Sequence, residues 1–246
     1  MTGARGRAFA TFAIGLAVIA LIALVVLANA RTGRPASSPP RAVQSRKLLL
    51  ITSLPIIFNE DFSLAGGGSP VLKKLRTSYR VAPISVTSPA ELAGGNLLLM
   101  AHAPAQTAQN LVALDDWVRR GGHVLVLADP LLEWPSKRPL GDRLRPSPMF
   151  MDTGLLAHWG LRLDAPDERG QQVRKLGSYR IVTVSPGRLA GTCEVGDDGF
   201  DARCRIGKGR AIIVADADFL NTPALGREAQ HNLDALMEML AALARP

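Results

Sequence analysis

The chain has 246 residues and carries 29 Lys and Arg against 21 Asp and Glu, which gives a formal net charge of +8. Seven of the basic residues and none of the acidic ones lie in residues 1–47, so the rest of the chain is nearly neutral. A basic stretch beside an apolar segment more often contacts lipid headgroups than nucleic acid, so this distribution argues against a nucleic-acid-binding domain.

Residues 8–30 contain no charged side chain and consist almost entirely of Ala, Ile, Leu, Val and Phe. At about 1.5 Å per residue, a helix of this length spans a hydrocarbon core of about 30 Å. A cleaved signal peptide is the alternative, because Arg5 and Arg7 precede the run and Ala28-Asn29-Ala30 resembles a cleavage site. The run is longer than the roughly 7–15 apolar residues of a signal peptide, which favours a single transmembrane anchor after a tail at residues 1–7.

The charges that flank this segment favour one orientation in the membrane, and other features of the chain favour the opposite one. Five basic residues lie between 31 and 47 and two before residue 8, and the positive-inside rule then favours a cytoplasmic domain. The short N-terminal tail and the cysteine pair described below favour the opposite. We expect an inner-membrane protein with a periplasmic domain, joined to its anchor by a Pro-, Ser- and Arg-rich tether at residues 31–46.

Residues 47–246 have the pattern of one α/β domain. Unbroken apolar runs of strand length are typical of parallel strands covered on both faces, and they lie at 48–52, 80–84, 96–101, 123–128 and 210–215. Periodic apolar residues and end signals predict helices at 70–79, 108–120 and 227–244. Strands that alternate with helices predict a mostly parallel sheet flanked by helices.

Two segments depart from this alternation. Residues 131–148 hold four Pro, two basic clusters and little periodic apolar content, so they form either a functional loop or a flap over one edge of the sheet. Residues 161–206 follow a short helix and are rich in β-forming residues, which predicts a β-hairpin insertion.

The two cysteines lie symmetrically about a turn signal. Asp198-Gly199 is a strong two-residue hairpin turn, and pairing about it joins residues whose numbers sum to 397, as those of Cys193 and Cys204 do. The two residues would face each other at a Cα separation of about 5.5 Å, which suits a disulfide. Two free buried thiols are the alternative. A disulfide would favour an oxidising compartment.

Polar residues follow several of the predicted strands. Ser53, His102, Asp129 and Asp216 lie at the carboxyl ends of four of them, with Asp218 close by. Ligands bind at this end of open α/β sheets, so the first four residues are the predicted ligand-binding site. The alternative is that the acids are helix caps or turn formers.

Signatures of catalysis and of cofactor binding are missing from the sequence. It contains no G-x-S-x-G, H-E-x-x-H or C-x-x-C motif, and Gly207-Lys208-Gly209 lacks the spacing and the hydroxyl of a phosphate-binding loop. The four histidines are scattered along the chain. We therefore predict neither a cofactor nor a metal site.

The stretch ALDDWVRRGGHVLVLADP, followed by GKGRAIIVADADFLNT and a helix that opens at Asn232-Leu233, resembles the GldG-type "ABC-type uncharacterised transport system" domain and its DUF4350-like relatives. The resemblance covers about residues 47–243 and implies a flavodoxin-like fold of the class I glutamine amidotransferase type. Catalytic amidotransferases have a nucleophilic cysteine after the third strand, where this chain reads Ala101-His102-Ala103-Pro104. The resemblance therefore implies a non-catalytic domain associated with an ABC-type export or gliding-motility system, and a sugar or polysaccharide ligand.

Three functions remain open at this point. The first is a membrane-anchored, non-catalytic binding or accessory module of an ABC-type transport or gliding-like system, with permease and ATPase subunits as partners. The second is an envelope scaffold for protein partners, which would show a broad apolar patch. The third is a hydrolase that uses His102 with Asp129 or Asp216, which requires the imidazole and an acid within hydrogen-bond reach.

Overall fold

Consecutive apolar residues build the centre of the domain, because its core strands are covered on both faces. The computed structural model describes residues 46–58 and 68–245. In chain order the elements are β1 (Arg46–Thr52), α1 (Pro70–Arg76), β2 (Tyr79–Pro83), α2 (Pro89–Leu92), β3 (Leu97–Ala101), α3 (Ala108–Arg119), β4 (His123–Leu127), α4 (Leu155–His158), β5 (Leu161–Asp164), β6 (Gln171–Leu176), β7 (Tyr179–Val184), β8 (Arg188–Gly191), β9 (Glu194–Val195), β10 (Asp201–Ile206), β11 (Gly209–Val214), α5 (Thr222–Leu225) and α6 (Asn232–Ala244). Two 3₁₀ turns, at Asp218–Leu220 and Gly226–Ala229, flank α5.

The main sheet has seven strands in the order β2-β1-β3-β4-β11-β10-β9. The first five of these pair in parallel, whereas β10 is antiparallel to β11 and β9 is antiparallel to β10. The molecule is thus a mixed α/β fold with a mostly parallel central sheet, as the alternation of elements predicts.

Each face of the sheet packs on its own group of helices. Along β1, Leu48 and Leu50 join the core on the side of α1 and α6, and Leu49 and Ile51 join the core on the side of α3 and α4. Both cores are almost fully buried. This arrangement explains why the strands read as unbroken apolar runs rather than as alternating patterns.

The predicted insertion is only partly separate from the main sheet. Strands β5 and β8 form one two-stranded sheet and β6 and β7 form another, but β9 and β10 extend the main sheet beyond β11. The last helix begins at Asn232 and not at residue 227. The Asn232 amide nitrogen donates to the carbonyls of Val182 and Phe219, and its oxygen accepts from the Val182 amide, so this residue pins the start of the helix to β7.

The structure contains a disulfide between Cys193 and Cys204, as the symmetry about the turn predicts. The register is the expected one, since Arg203 pairs with Glu194. The turn itself is centred one residue earlier, because the Gly199 amide donates to the carbonyl of Gly196. The Cα atoms are 4.9 Å apart rather than about 5.5 Å, which is nearer to the spacing of a non-hydrogen-bonded pair.

The predicted tail, the predicted anchor and the first fifteen residues of the predicted tether lie outside the described residues. Its last residue, Arg46, belongs instead to β1, where it pairs with Tyr79. Of the helices in residues 46–58 and 68–245, none has the length and apolar character needed to cross a membrane.

Candidate functional site

The carboxyl ends of the parallel strands lie at one end of the sheet, and a long connection covers part of that end. This connection, residues 130–151, is called the flap below. Its two arms are joined where the Leu132 amide donates to the Pro148 carbonyl (2.9 Å), and it is tied to β4 by the bond from the Phe150 amide to the Asp129 carbonyl (2.6 Å). This position agrees with the interpretation of the segment as a flap, and it leaves open the other interpretation, that of a functional loop.

Ser53 and His102 form one unit at this end of the sheet. The amide and the hydroxyl of Ser53 both donate to the His102 carbonyl, at 3.3 and 2.6 Å. These bonds connect the residues that follow β1 and β3, which are neighbouring strands. The backbone of His102 adopts a φ of 46°, a left-handed conformation that is uncommon for residues other than glycine.

The imidazole of His102 is enclosed by the flap. Only 1% of the residue is exposed, its Nε2 lies 2.9 Å from the carbonyl oxygen of Ser147, and its ring meets that of Phe150 edge to face. Because a carbonyl oxygen accepts, Nε2 carries the proton in the neutral ring and donates it. Burial lowers the pKa of His102 to about 4, against the smaller opposing effect of the bond to Ser147. The ring is therefore neutral at physiological pH.

Asp129 ties two loops to the end of β4. Its Oδ1 accepts from the amide of Leu131 (2.9 Å), and its Oδ2 accepts from the amides of Ala217 (2.9 Å) and Asp218 (3.3 Å). The residue is fully buried. Both of its oxygens thus serve the backbone, which is the turn-forming role that the sequence offers as the alternative to ligand binding.

Asp216 and Asp218 bring two further buried carboxyl groups to the same place. Oδ1 of Asp216 accepts from the Thr183 hydroxyl (2.5 Å) and the Phe219 amide (3.0 Å), while its Oδ2 has no hydrogen-bond partner among the described residues. Oδ2 of Asp218 accepts from the Glu133 amide of the flap at 2.7 Å. Asp129, Asp216 and Asp218 are called the buried carboxyl cluster below.

The cluster is held partly in its protonated form by desolvation and mutual repulsion. Burial raises the pKa of Asp129 to about 6, although three amide hydrogen bonds act in the opposite direction. Burial and then the charge of Asp129 raise the pKa of Asp218 to about 7. The same two causes raise the pKa of Asp216 well above its ordinary value. The three carboxyls are therefore not all ionised at neutral pH.

Two cavities lie beside the flap. The first, of about 490 Å³, is bounded by the ends of β1 and β2 and by the flap residues Arg138 and Leu144. The second, of about 310 Å³, lies between the β3–α3 connection and the flap residues 140–148. Three residues line both cavities: Ser53, Pro104 and Pro146. In the part of the chain that the structure describes, no group of three His, Cys, Asp or Glu is placed to hold a metal ion.

The four residues predicted as a ligand site therefore fall into two groups. Ser53 and His102 lie between β1 and β3, and only Ser53 lines a cavity. Asp129 and Asp216 belong to the buried carboxyl cluster at the ends of β4 and β11. Among the hydrogen bonds of residues 46–58 and 68–245, none joins His102 to either acid.

Several residues of this region are not at the ends of parallel strands, and the strand-end rule does not find them. The Glu133 carboxylate accepts from the Ser185 hydroxyl (2.5 Å), and that hydroxyl also accepts from the amide of Gly170 (2.9 Å). Thr183 and Ser185 come from β7 and its end, in a separate two-stranded sheet. The sequence holds no local signal that places Thr183 beside Asp216 or Ser185 beside Glu133.

Comparison with known proteins identifies similar folds and no family. No family model matches the chain, and no curated protein matches it significantly. The cytoplasmic protein STM1381 from Salmonella typhimurium LT2 has a TM-score of 0.53 at 13% identity, over 80% of this chain and 99% of that one. The mmIFT52 N-terminal domain has a TM-score of 0.50 at 13% identity, over 79% and 97% of the two chains.

An exo-β-1,4-mannosidase from Opitutaceae bacterium strain TAV5 has a TM-score of 0.49 at 14% identity. The match covers 82% of this chain but 37% of the mannosidase, so the chain spans little more than a third of that enzyme. At identities this low, the similarity is one of fold alone.

Proposed function

We propose that this protein is a membrane-tethered, non-catalytic binding module whose site is the pair of cavities beside the flap. The observation that supports this proposal is the position of the two cavities in the sheet. The sheet order changes direction at β1, with β2 on one side and β3 on the other. In open α/β sheets such a switch point is where the carboxyl ends of the strands leave room for a ligand, and Ser53, at the end of β1, lines both cavities.

The geometry around Ser53 favours binding over hydrolysis. A serine hydroxyl needs an adjacent base to become a nucleophile at neutral pH. The Ser53 hydroxyl instead donates to a backbone carbonyl, and the His102 imidazole donates to another. The Ser53 hydroxyl hydrogen and the His102 Nε2 are thus engaged by backbone carbonyls, and the remaining His102 Nδ1 is buried and has no hydrogen-bond partner among the described residues. The hydrolase alternative therefore lacks a hydroxyl nucleophile paired with a base.

The lining of the first cavity suits a ligand with both apolar and hydroxyl surfaces. Its walls include Ile57, Ile84 and Leu144, and its polar groups include Ser85 and Arg138. A carbohydrate-like ligand, with an apolar ring face and a rim of hydroxyls, has this chemistry.

The finer assignment follows the family resemblance. The order β2-β1-β3-β4 supports a flavodoxin-like fold of the amidotransferase type. In this proposal the domain is periplasmic and serves ABC-type permease and ATPase subunits of a transport or gliding-like system. The disulfide supports a location outside the cytoplasm, because disulfides persist in oxidising compartments. A scaffold for envelope proteins is the second candidate, supported by the exposed apolar side chains of the flap.

Membrane fractionation tests the tether. The full chain is expected to stay in the membrane pellet after alkaline carbonate washing, because a helix at residues 8–30 inserts almost irreversibly. A soluble product that begins at Arg31 would show that the segment is a cleaved signal and would contradict the tether.

Ligand binding tests the site. We expect a panel of monosaccharides and short oligosaccharides to contain a member that raises the Tm of the detergent-solubilised full chain. Ser85→Trp, which fills the first cavity, is expected to abolish that shift. Ala165→Trp, an exposed position outside both cavities, is the matched control and should retain it. Asp129→Asn should lower the Tm and still bind, because Asp129 holds backbone amides. A Tm shift that survives Ser85→Trp, or a panel without effect, would count against the cavity as a carbohydrate site.

A further inference from the structure

The flap carries an exposed apolar surface. Of the eight large apolar side chains that are exposed in the described part of the chain, four belong to it: Leu140 (79%), Leu144 (55%), Met149 (53%) and Met151 (46%). Leu140 and Met151 line the second cavity, and Leu144 lines the first beside Phe58. Scattered apolar residues on a surface are ordinary, but a group gathered on one short segment marks a contact surface.

Two consecutive turns form the tip of the flap, residues 139–145, and Leu140 lies exposed in the first of them. The Asp142 amide donates to the Pro139 carbonyl (3.2 Å), and the Arg145 amide donates to the Asp142 carbonyl (3.0 Å). Gly141 lies inside the first of these turns with a φ of 88°, and apart from its chain neighbours no heavy atom lies within 4 Å of the place where a Cβ would be. The tip is thus a pair of consecutive turns that is open to solvent at Gly141.

Basic side chains are interleaved with these apolar ones. Residues 136–149 contain four basic residues and one acid, Asp142. That acid pairs with Arg138 at 3.4 Å. Arg143 is exposed and forms none of the ion pairs found among the described residues, and it lines the second cavity with Arg145 and Leu140. The exposed surface of the tip is therefore apolar and positively charged.

We propose that the flap docks on an anionic lipid surface, with Leu140 and Leu144 entering the headgroup region and Arg143 contacting lipid phosphates. Arg145, whose guanidinium donates to the Arg138 carbonyl, adds positive charge beside it. Exposed leucines flanked by arginines match the two components of such a surface, an apolar boundary below a negatively charged layer. A protein groove would satisfy the leucines but gives no reason for the surrounding positive charge.

The proposal rests on the proposed tethering, and the length of the chain permits it. The flap lies at the carboxyl end of β1, whereas the tether joins its amino end at Arg46. The seven residues of β1 span about 23 Å. The fifteen residues from 31 to 45 reach up to about 50 Å when extended, which is more than that distance.

A fluorescent label on the flap tests the docking. Leu140→Cys would supply a unique reactive thiol, since the described residues hold no free cysteine and the native pair is bridged. The full chain, labelled there with an environment-sensitive dye, is reconstituted in vesicles of phosphatidylcholine with one third phosphatidylglycerol. We expect a blue-shifted emission that lipid-borne quenchers reduce. The matched control is Val173→Cys, which is 48% exposed on β6 and should report only water.

Charge reversal tests the role of the arginines. Arg143→Glu is expected to lower the ratio of docked to undocked label at least about fivefold, because each basic residue near an anionic surface contributes about that factor. Arg169→Glu, an exposed arginine outside the flap, should leave the ratio unchanged.

Three results would overturn the inference. The first is a label at position 140 that is as solvent-exposed as the one at 173. The second is equal shielding in phosphatidylcholine alone, and the third is shielding that appears only after envelope protein is added, which would assign the surface to a protein partner. Alkaline washing of the same vesicles distinguishes a failure of the proposed docking from a failure of the proposed membrane tethering. A washed chain that stays bound while its label stays exposed overturns the docking alone, and a chain lost on washing overturns the tethering and the docking with it.

Discussion

Asp218 holds a proton that an ordinary aspartate would release, and the stability of the folded protein therefore depends on pH. Its pKa is raised from 3.8 to about 7 by burial and by the charge of Asp129. The folded state therefore keeps the proton between about pH 4 and pH 7 while the unfolded state loses it. Stability should fall across this window as pH rises, by about 1.4 kcal/mol for each pH unit in which the states differ by one proton.

Asp218→Asn is the test of this effect. The amide oxygen can still accept from the Glu133 amide but does not ionise. We expect the variant to be more stable than the wild type at pH 8 and to show a shallower fall of stability between pH 4 and pH 7 in urea unfolding, with the remaining slope due to Asp129 and Asp216. Asp116→Asn, at an exposed helix position, is the control and should keep the wild-type profile. A wild-type slope in Asp218→Asn would show that the cluster titrates elsewhere.

His102 should act in the opposite direction. Burial lowers its pKa from 6.5 to about 4. Between these pH values the imidazole is therefore neutral in the folded state and protonated in the unfolded state. Its contribution to stability is complete above about pH 6.5 and is lost as pH falls toward 4. Imidazole ¹⁵N shifts should show a neutral ring with the proton on Nε2 at pH 5.5, in a resonance that is absent from His102→Asn. A ring that titrates near 6.5 would contradict the burial by the flap.

The residues of the site show what the sequence can and cannot predict. Parallel strands bring their carboxyl ends together, so the closeness of Ser53 to His102 and of Asp129 to Asp216 follows from the strand pattern. Their burial does not follow from it. The flap lacks periodic apolar residues. Its position depends on individual hydrogen bonds to residues that are distant in the sequence, such as the one from the His102 imidazole to the Ser147 carbonyl.

At the level of elements, Asn232 joins three parts of the fold. It is fully buried and satisfies the amide and carbonyl of Val182 and the carbonyl of Phe219. Asn232→Ala would leave these groups without partners, at a cost of about 3 kcal/mol in the free energy of unfolding. Urea unfolding should show this loss. Asn110→Ala is the matched control, since only the backbone of Asn110 takes part in hydrogen bonds among the described residues. Equal losses in the free energy of unfolding for the two variants would contradict the proposed role of the Asn232 side chain in joining these parts of the fold.

The parallel strands of the main sheet were predictable, including β2 at one edge, whereas the short strand β9 at the other edge was not, for a physical reason. A strand covered on both faces, such as β3, shows five consecutive buried residues, and a short apolar run between turn signals is typical of such a strand. Strand β9 has two residues and depends on β10 for its position. Its register was still predictable, because the Asp198-Gly199 signal and the numbers of Cys193 and Cys204 agree on one pairing.

For the whole molecule, the state of the cysteines tests the compartment. We expect Cys193 and Cys204 to resist alkylation in denatured, unreduced protein from intact cells and to react after reduction. A Cys193→Ala, Cys204→Ala chain should show no reaction in either case and should be less stable by about 2 to 3 kcal/mol. Rapid alkylation before reduction would contradict both the bridge and a domain outside the cytoplasm.

During synthesis, β4 is complete long before its partner strand β11 is made. Strand β11 lies inside the sheet, between β4 and β10, yet it is made about 80 residues after β4, which at roughly 5–20 residues per second takes about 4 to 16 seconds. Throughout this time the side of β4 that pairs with β11 stays open, although its other side can already pair with β3. A nascent chain that stalls before Gly209 therefore lacks the strand that joins β4 to β10 and β9, and such fragments should aggregate or be degraded instead of folding in part.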